Sequence, residues 1–216
     1  MKHPDESERL TVWGRRAAFN VQKVLWCCDE LGLAYVQRDA GQHYGQNREP
    51  FFLAMNPNGR VPVIQLGDFV LWESGAIIRF LCGRVAAPQA DTAQRRAVAD
   101  QWMDWVATTL YYPVFRNYYL YQTRTPEADK DPAAMQARSD EVRELFAIPE
   151  RQLQRHRFIA GDDLTMADFV FGVVVDKWVR IEGGVPGFPG IARYHALLSQ
   201  RPAFQKNVSS HSLVAV

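Results

Sequence analysis

The sequence predicts an α/β domain followed by an all-α domain, and three observations carry that reading. Short runs with a period of two alternate with a period-3.6 run in the first 84 residues. Beyond residue 92 only helical periodicity remains. Between them lies VAAPQAD, small and Pro-containing, with the character of a linker. The expected division is therefore 1–84, a linker at 85–91, and 92–216, and a chain of 216 residues is long enough for two cores.

Each element follows from its own signal. LTVWG at 10–14 is a short strand ending at Gly14. From about 18 to 32, Val21, Val24, Leu25, Cys28 and Leu31 share one helical face, and Gly32 stops the helix. LAYVQRD is the second strand. AGQHYGQNREP, at 40–50, reads as loop, and FFLAM as at most one helical turn. VPVIQL and FVLW, joined by Gly67-Asp68, form a hairpin, and a helix over 73–83 places Ile77, Ile78 and Leu81 on one side. A βαβ unit followed by a ββα unit builds a mixed sheet.

In the second domain, 92–123 reads as one long or broken helix, interrupted at Pro113, and 133–157 as another with a kink or break at Pro149. The arginines of that helix (Arg138, Arg143, Arg151, Arg155) read as solvated surface. LTMADFVFGVVVDKWV begins the most strongly marked helix. Thr165 can cap it, Asp168 stands at its third position, and Leu164 can clip onto Phe169. A further helical segment lies near 188–199, and Pro202 opens the tail.

Composition narrows the function. A formal charge of +1, balanced on both sides of residue 84, lacks the basic excess of a nucleic-acid binder. No apolar run is long enough to span a membrane, and MKHPDESERL has no apolar stretch of the signal-peptide kind, so a cytoplasmic protein is expected. Cys27, Cys28 and Cys82 read as small core hydrophobes. The five histidines are scattered, with no Cys/His cluster at ligand spacing, so no metal site is expected.

One stretch, NPNGRVPVIQLGDFVLWES, suggests chemistry. Pro62 in a strand removes a ladder donor, which suits an edge, a bulge or a bend. A cis Val61-Pro62 bond would turn the Val61 main chain outward to pair with an extended ligand. Glu73-Ser74 begins a helix whose amides and hydroxyl can hold a carboxylate. A plain edge strand and a plain helix start are the competing readings; together the features describe a site shaped for a small peptide.

NPNGRVPVI, WESGAIIRFL, LTMADF and the order of elements resemble the cytosolic glutathione transferases, across nearly the whole chain and with affinity to the bacterial Ser/Thr/Asn-type theta, beta and nu classes. The resemblance implies a thioredoxin-like first domain, glutathione as co-substrate, and a homodimer. It also implies roles. Val61, before cis-Pro62, would offer main-chain hydrogen bonds to the cysteinyl part. Glu73 and Ser74 would hold the γ-glutamyl end, and Arg60 and His43 would approach the glycyl carboxylate. Asp104 could reach the γ-glutamyl amine across a dimer, against the alternative of a solvated helix face.

The first βα turn, WGRRAAFNVQKV, departs from the family. Ala18 stands where the Ser/Thr classes carry a hydroxyl, and Ala17 has none either. Loss of activity, another donor and a different anchor are the accounts left open. Half-ionising a thiol of pKa about 8.5 at pH 7 needs about 2 kcal/mol. A helix N-terminus contributes about 0.3–1 kcal/mol and a hydrogen bond to a charged group about 1.5–3 kcal/mol, so one donor beside the helix start suffices. Asn20 is the candidate catalytic donor, with a helix cap as the alternative role. Arg15 and Arg16 read as solvated surface, with electrostatic help to the thiolate as the alternative.

In WMDWVATTLYYPVFRNYYLY, most aromatics read as helix packing, and Trp105, Tyr111, Tyr112 and Phe115 are the candidates for a hydrophobic second-substrate pocket. The reading that follows is attack of the glutathione thiolate on an apolar electrophile. A glutathione-dependent disulfide or peroxide reductase and a non-catalytic ligand carrier or scaffold are the alternatives.

Overall fold

Strand β1 (Leu10–Trp13) occupies the centre of a four-stranded sheet ordered β2-β1-β3-β4 in the computed structural model, which describes residues 9–85 and 92–213. β2 (Tyr35–Arg38) runs parallel to β1, with Leu10 opposite Tyr35. β3 (Val63–Leu66) is antiparallel to β1, with Val12 opposite Ile64, and forms a hairpin with β4 (Phe69–Trp72). Alternation sets the two faces. Val12 and Ile64 point into the main core beneath α1 (Phe19–Glu30) and α3 (Ser74–Arg84). Trp13 and Val63 point the other way, into a small cluster with Phe52 of α2 (Pro50–Met55).

The helical domain packs on the α1 side of the sheet. Its elements are α4 (Ala93–Trp105), α5 (Leu120–Arg124), α6 (Pro132–Leu153), α7 (Met166–Glu182), α8 (Pro189–Ser199) and α9 (Pro202–Phe204). α7 is buried from Met166 through Trp178, and the expected capping box of Thr165 and Asp168 starts it. Trp26 of α1 meets Phe169 and Phe204 edge-on, with ring centroids 5.0 and 4.8 Å apart. A Cβ on Gly172 would lie 2.6 Å from Leu198 and 2.9 Å from Trp26, so only glycine permits this approach of α1, α7 and α8.

Neither proline breaks its helix: of the readings at Pro113 and Pro149, the break is corrected and the continuous helix holds. The chain stays helical from α4 to α5, because its turns widen over Val106–Leu110 and Tyr112–Tyr119. There the Tyr111 amide donates to the Val106 carbonyl and the Leu120 amide to that of Phe115. A widened turn lets carbonyls find donors one residue farther on, which offsets the missing N–H of Pro113. α6 likewise runs through Pro149, which is buried. The next residue, Glu150, is buried too, and its carboxylate accepts from the Gly190 and Ile191 amides at the start of α8, both at 2.9 Å. Two arginines of α6 are more than solvated surface. Arg138 lies over the Tyr121 ring, and Arg143 donates to the Pro186 carbonyl. The loop at 40–50 contains a helical turn, Gln42–Tyr44, and α2 exceeds one turn. Residues 86–91 of the expected linker lie outside the described residues.

Candidate active site

Side chains hold the NPNG loop in shape. Asn56 is buried; its Nδ2 donates to the Arg60 carbonyl at 2.8 Å and its Oδ1 accepts from the Asn58 amide at 3.1 Å. Asn47 Nδ2 donates to the Gly59 carbonyl at 2.7 Å. This loop delivers Val61 into a cis bond with Pro62. Among the described residues the Val61 amide and carbonyl have no partner, while its side chain packs beneath Gly14. Gly14 has φ +144°, and a Cβ there would meet Val21 Cγ2 at 2.5 Å and Val61 Cβ at 3.0 Å. Glycine is therefore required where the two loops touch.

Beside this edge, β4 enters α3 through Glu73 at φ 69°, a conformation that costs a non-glycine residue of order 1–3 kcal/mol. Side chains cap α4 (Thr92), α6 (Asp131) and α7 (Thr165). The N-termini of α1, at Ala18, and α3, at Glu73, have no side-chain cap. Their first-turn amides are free for a ligand.

The two helix starts meet at a cleft of about 390 Å³, lined on that side by Asn20, Lys23, Glu73 and Ser74. The helical domain closes it with Met103, Asp104, Ala107, Tyr111 and Val170. Because Ala18 is the cap position, Asn20 lies inside the first turn of α1, and the cap reading of Asn20 is corrected. Its Oδ1 is buried without a hydrogen-bond partner, while its amide lies beside the Tyr111 hydroxyl. Burial pushes the Tyr111 hydroxyl pKa up, and the Asn20 amide opposes that shift. Asp104 pairs with Arg79 at 2.5 Å, and Arg79 also pairs with Asp100 at 2.6 Å.

Other predicted residues are arranged differently. Exposed His43 packs at a tilt against Tyr44, with ring centroids 4.1 Å apart, and Arg60 is exposed at the loop end; neither lines the cleft. Of the aromatic candidates only Tyr111 lines it. Phe115 lies 4.3 Å from Phe19 and stacks between Tyr111 and Tyr119. Trp105 packs edge-on against Trp102, and Tyr112 is 60% exposed; both stand off the cleft wall.

Arg16 is exposed as expected, but Arg15 is corrected: it is only 9% exposed. Burial, then the neighbouring Arg124, lowers its pKa, and its Nη1 has no partner among the described residues. Residue-type reasoning also missed Lys23, Phe19 and Asn56. The Asn-Pro-Asn-Gly spacing was the available signal for Asn56; Lys23 and Phe19 carry none, because the second domain buries them.

The family description "Glutathione S-transferase, N-terminal domain" matches residues 8–82, and its C-terminal counterpart matches residues 103–202. The chain belongs to the glutathione S-transferase family. It is 36% identical over 203 residues to glutathione S-transferase GstB of Escherichia coli strain K12, covering 92% of this chain and 97% of the relative. It is also similar to the theta class glutathione S-transferase of Xanthomonas axonopodis pv. citri with glutathione bound. That likeness has 37% identity and a TM-score of 0.87, over 95% of this chain and 99% of the other. A glutathione transferase of Burkholderia graminis, with two glutathione molecules per subunit, is 25% identical with a TM-score of 0.83, over 96% and 90%.

This transferase therefore joins a thioredoxin-like domain to an all-helical one. No described helix is long and apolar enough to cross a membrane, and no described group of His, Cys, Asp or Glu could hold a metal. Chemically, the cleft offers free helix-start amides and a carboxamide beside an aromatic wall, an arrangement suited to holding an anion and a polarisable sulfur.

Proposed function

We propose that this transferase binds glutathione across the α1–α3 cleft and presents its thiolate to an electrophilic carbon of an apolar substrate. In this reading the Val61 main chain pairs with the cysteinyl part. Glu73, Ser74 and the α3 amides hold the γ-glutamyl end, and Arg60 and His43 approach the glycyl carboxylate. Asn20 and the start of α1 stabilise the thiolate in place of the hydroxyl that Ala18 lacks, while Tyr111 flanks the apolar substrate and Phe115 backs the Tyr111 ring. The observation that carries the reading is that two helix N-termini without a side-chain cap meet at one cleft, while the Val61 main chain on the neighbouring strand edge has no partner among the described residues.

A homodimer accords with Phe69 and Trp72, exposed apolar side chains on β4, and sedimentation tests it. The free thiols Cys27, Cys28 and Cys82 suit a reducing cytoplasm.

Steady-state assays with 1-chloro-2,4-dinitrobenzene, cumene hydroperoxide and a mixed disulfide of glutathione test the activity. Conjugation of the aryl halide is expected, falling about tenfold or more in Asn20→Ala. Disulfide reduction without conjugation would assign the site to a reductase, and no glutathione binding at millimolar ligand would make the chain a carrier or scaffold.

A further inference from the structure

Lys23 stands one turn into α1, on the wall of the cleft shared by Asn20, Glu73 and Ser74. It is 3% exposed, and among the described residues no hydrogen-bond acceptor reaches its Nζ. Helical side chains lean toward the helix N-terminus, and this one does so: Nζ lies 4.6 Å from the Phe19 ring centroid and 5.2 Å from that of Tyr111. The amine therefore sits at the level of the helix start, between two aromatic faces, without an anion bonded to it. An ammonium left this way is costly, and an anionic ligand in the cleft would supply the missing partner.

Resting on the glutathione reading, we propose that Lys23 is the proton acceptor for the glutathione thiol and then the counter-ion of the thiolate. The S–H bond breaks, the Nζ lone pair takes the proton, and sulfur keeps the electron pair. The resulting ammonium faces the thiolate until the sulfur lone pair forms the new C–S bond and the electrophile's leaving group, a halide in the aryl halide assay, departs with its electron pair. The Nζ proton then leaves to solvent as product departs. Burial supports the role by bringing the Lys23 pKa down to about 7, only partly opposed by Glu73. An amine of that pKa is free to take a proton near neutrality. The charged and titratable groups facing the cleft are Glu73 at the β4–α3 junction, Arg79 of α3, Asp104 of α4 and Tyr111. Of these, Glu73 is the one that acts on the Lys23 pKa. Asn20 remains the neutral donor in place of the hydroxyl that Ala18 lacks, and Lys23 supplies the base.

Two glutathione derivatives test this: glutathione sulfonate, with fixed negative charge at sulfur, and S-methylglutathione, with a neutral sulfur. Calorimetry on Lys23→Met, which keeps an apolar stem, is expected to show about tenfold weaker sulfonate binding and less than about twofold change for S-methylglutathione. Lys23→Arg keeps the charge but cannot accept a proton. It should retain sulfonate affinity while the pH inflection of kcat/KM moves up by about one unit. Equal loss of both ligands in Lys23→Met, no loss of either, or an unshifted inflection in Lys23→Arg overturns the proposal. If the wild-type chain binds neither ligand, the glutathione reading itself fails, and this inference with it.

Discussion

α7 and α1 both run through the middle of the molecule and both bury charge, but α7 surrounds Asp168 and Asp176 with hydrogen-bond partners, whereas Lys23, the fully buried charge of α1, has none among the described residues. Asp168 accepts from the Thr165 amide at 2.7 Å, the Ile159 amide at 3.1 Å and the Tyr194 hydroxyl at 3.0 Å. Burial pushes its pKa up to about 6 against those bonds. Burial also opposes ionisation of Asp176, yet His195, Lys177 and Arg180 together bring its pKa down to about 2. On α1, Lys23 has two ring faces and the more distant charge of Glu73 but, among the described residues, no hydrogen-bond acceptor, and Asn20 Oδ1 has no partner among them. A satisfied polar cluster specifies and locks a fold; an unsatisfied one marks where a ligand completes the set.

The comparison breaks if the two helices respond alike to losing a charge. The largest effect belongs to α7: Asp168→Ala is expected to destabilise the protein by about 3–5 kcal/mol in urea unfolding, because three buried donors lose their acceptor.

Lys23→Met should do the opposite and stabilise, with a definite pH dependence. The folded pKa of Lys23, about 7, lies below its unfolded value, so the folded state binds fewer protons between pH 7 and about 10.4. Wild-type stability therefore gains as pH rises through 7, and below it the ammonium is held at full cost. The stabilisation by Lys23→Met should be about 2 kcal/mol larger at pH 6 than at pH 8.5. A gain independent of pH would show that Lys23 does not titrate in this range.

Ser74→Ala should weaken glutathione binding by about 1–1.5 kcal/mol, roughly tenfold, with thermal stability unchanged, since no fold contact depends on the hydroxyl. The smallest effect is expected at the cleft wall. Tyr111→Phe keeps the ring over Lys23 and removes only a hydroxyl, so glutathione affinity should change by less than about twofold.

The parts of the fold set by local periodicity were legible. Val12 and Ile64 alternate with Trp13 and Val63, and Thr165 and Asp168 announce the start of α7. Glu73-Ser74 breaks a local pattern and lies on the cleft wall, and Pro62 breaks one on the neighbouring strand edge. What escaped was set by tertiary packing. Pro113 reads as a breaker until widened turns re-pair the surrounding carbonyls. Lys23 and Arg15 look like ordinary surface cations in one dimension and become buried only when the second domain covers α1. Trp105 and Tyr112 lie in an aromatic run whose division among core, surface and cleft depends on helix rotation, which composition does not encode.

The most direct measurement is thiolate absorbance of glutathione bound to the wild-type chain, followed across pH. If the α1 start, Asn20 and Lys23 act together, bound glutathione should ionise at least about 1.5 units below the free thiol value of about 8.5. A bound thiol that titrates as it does in water would contradict the account, whatever else the cleft holds.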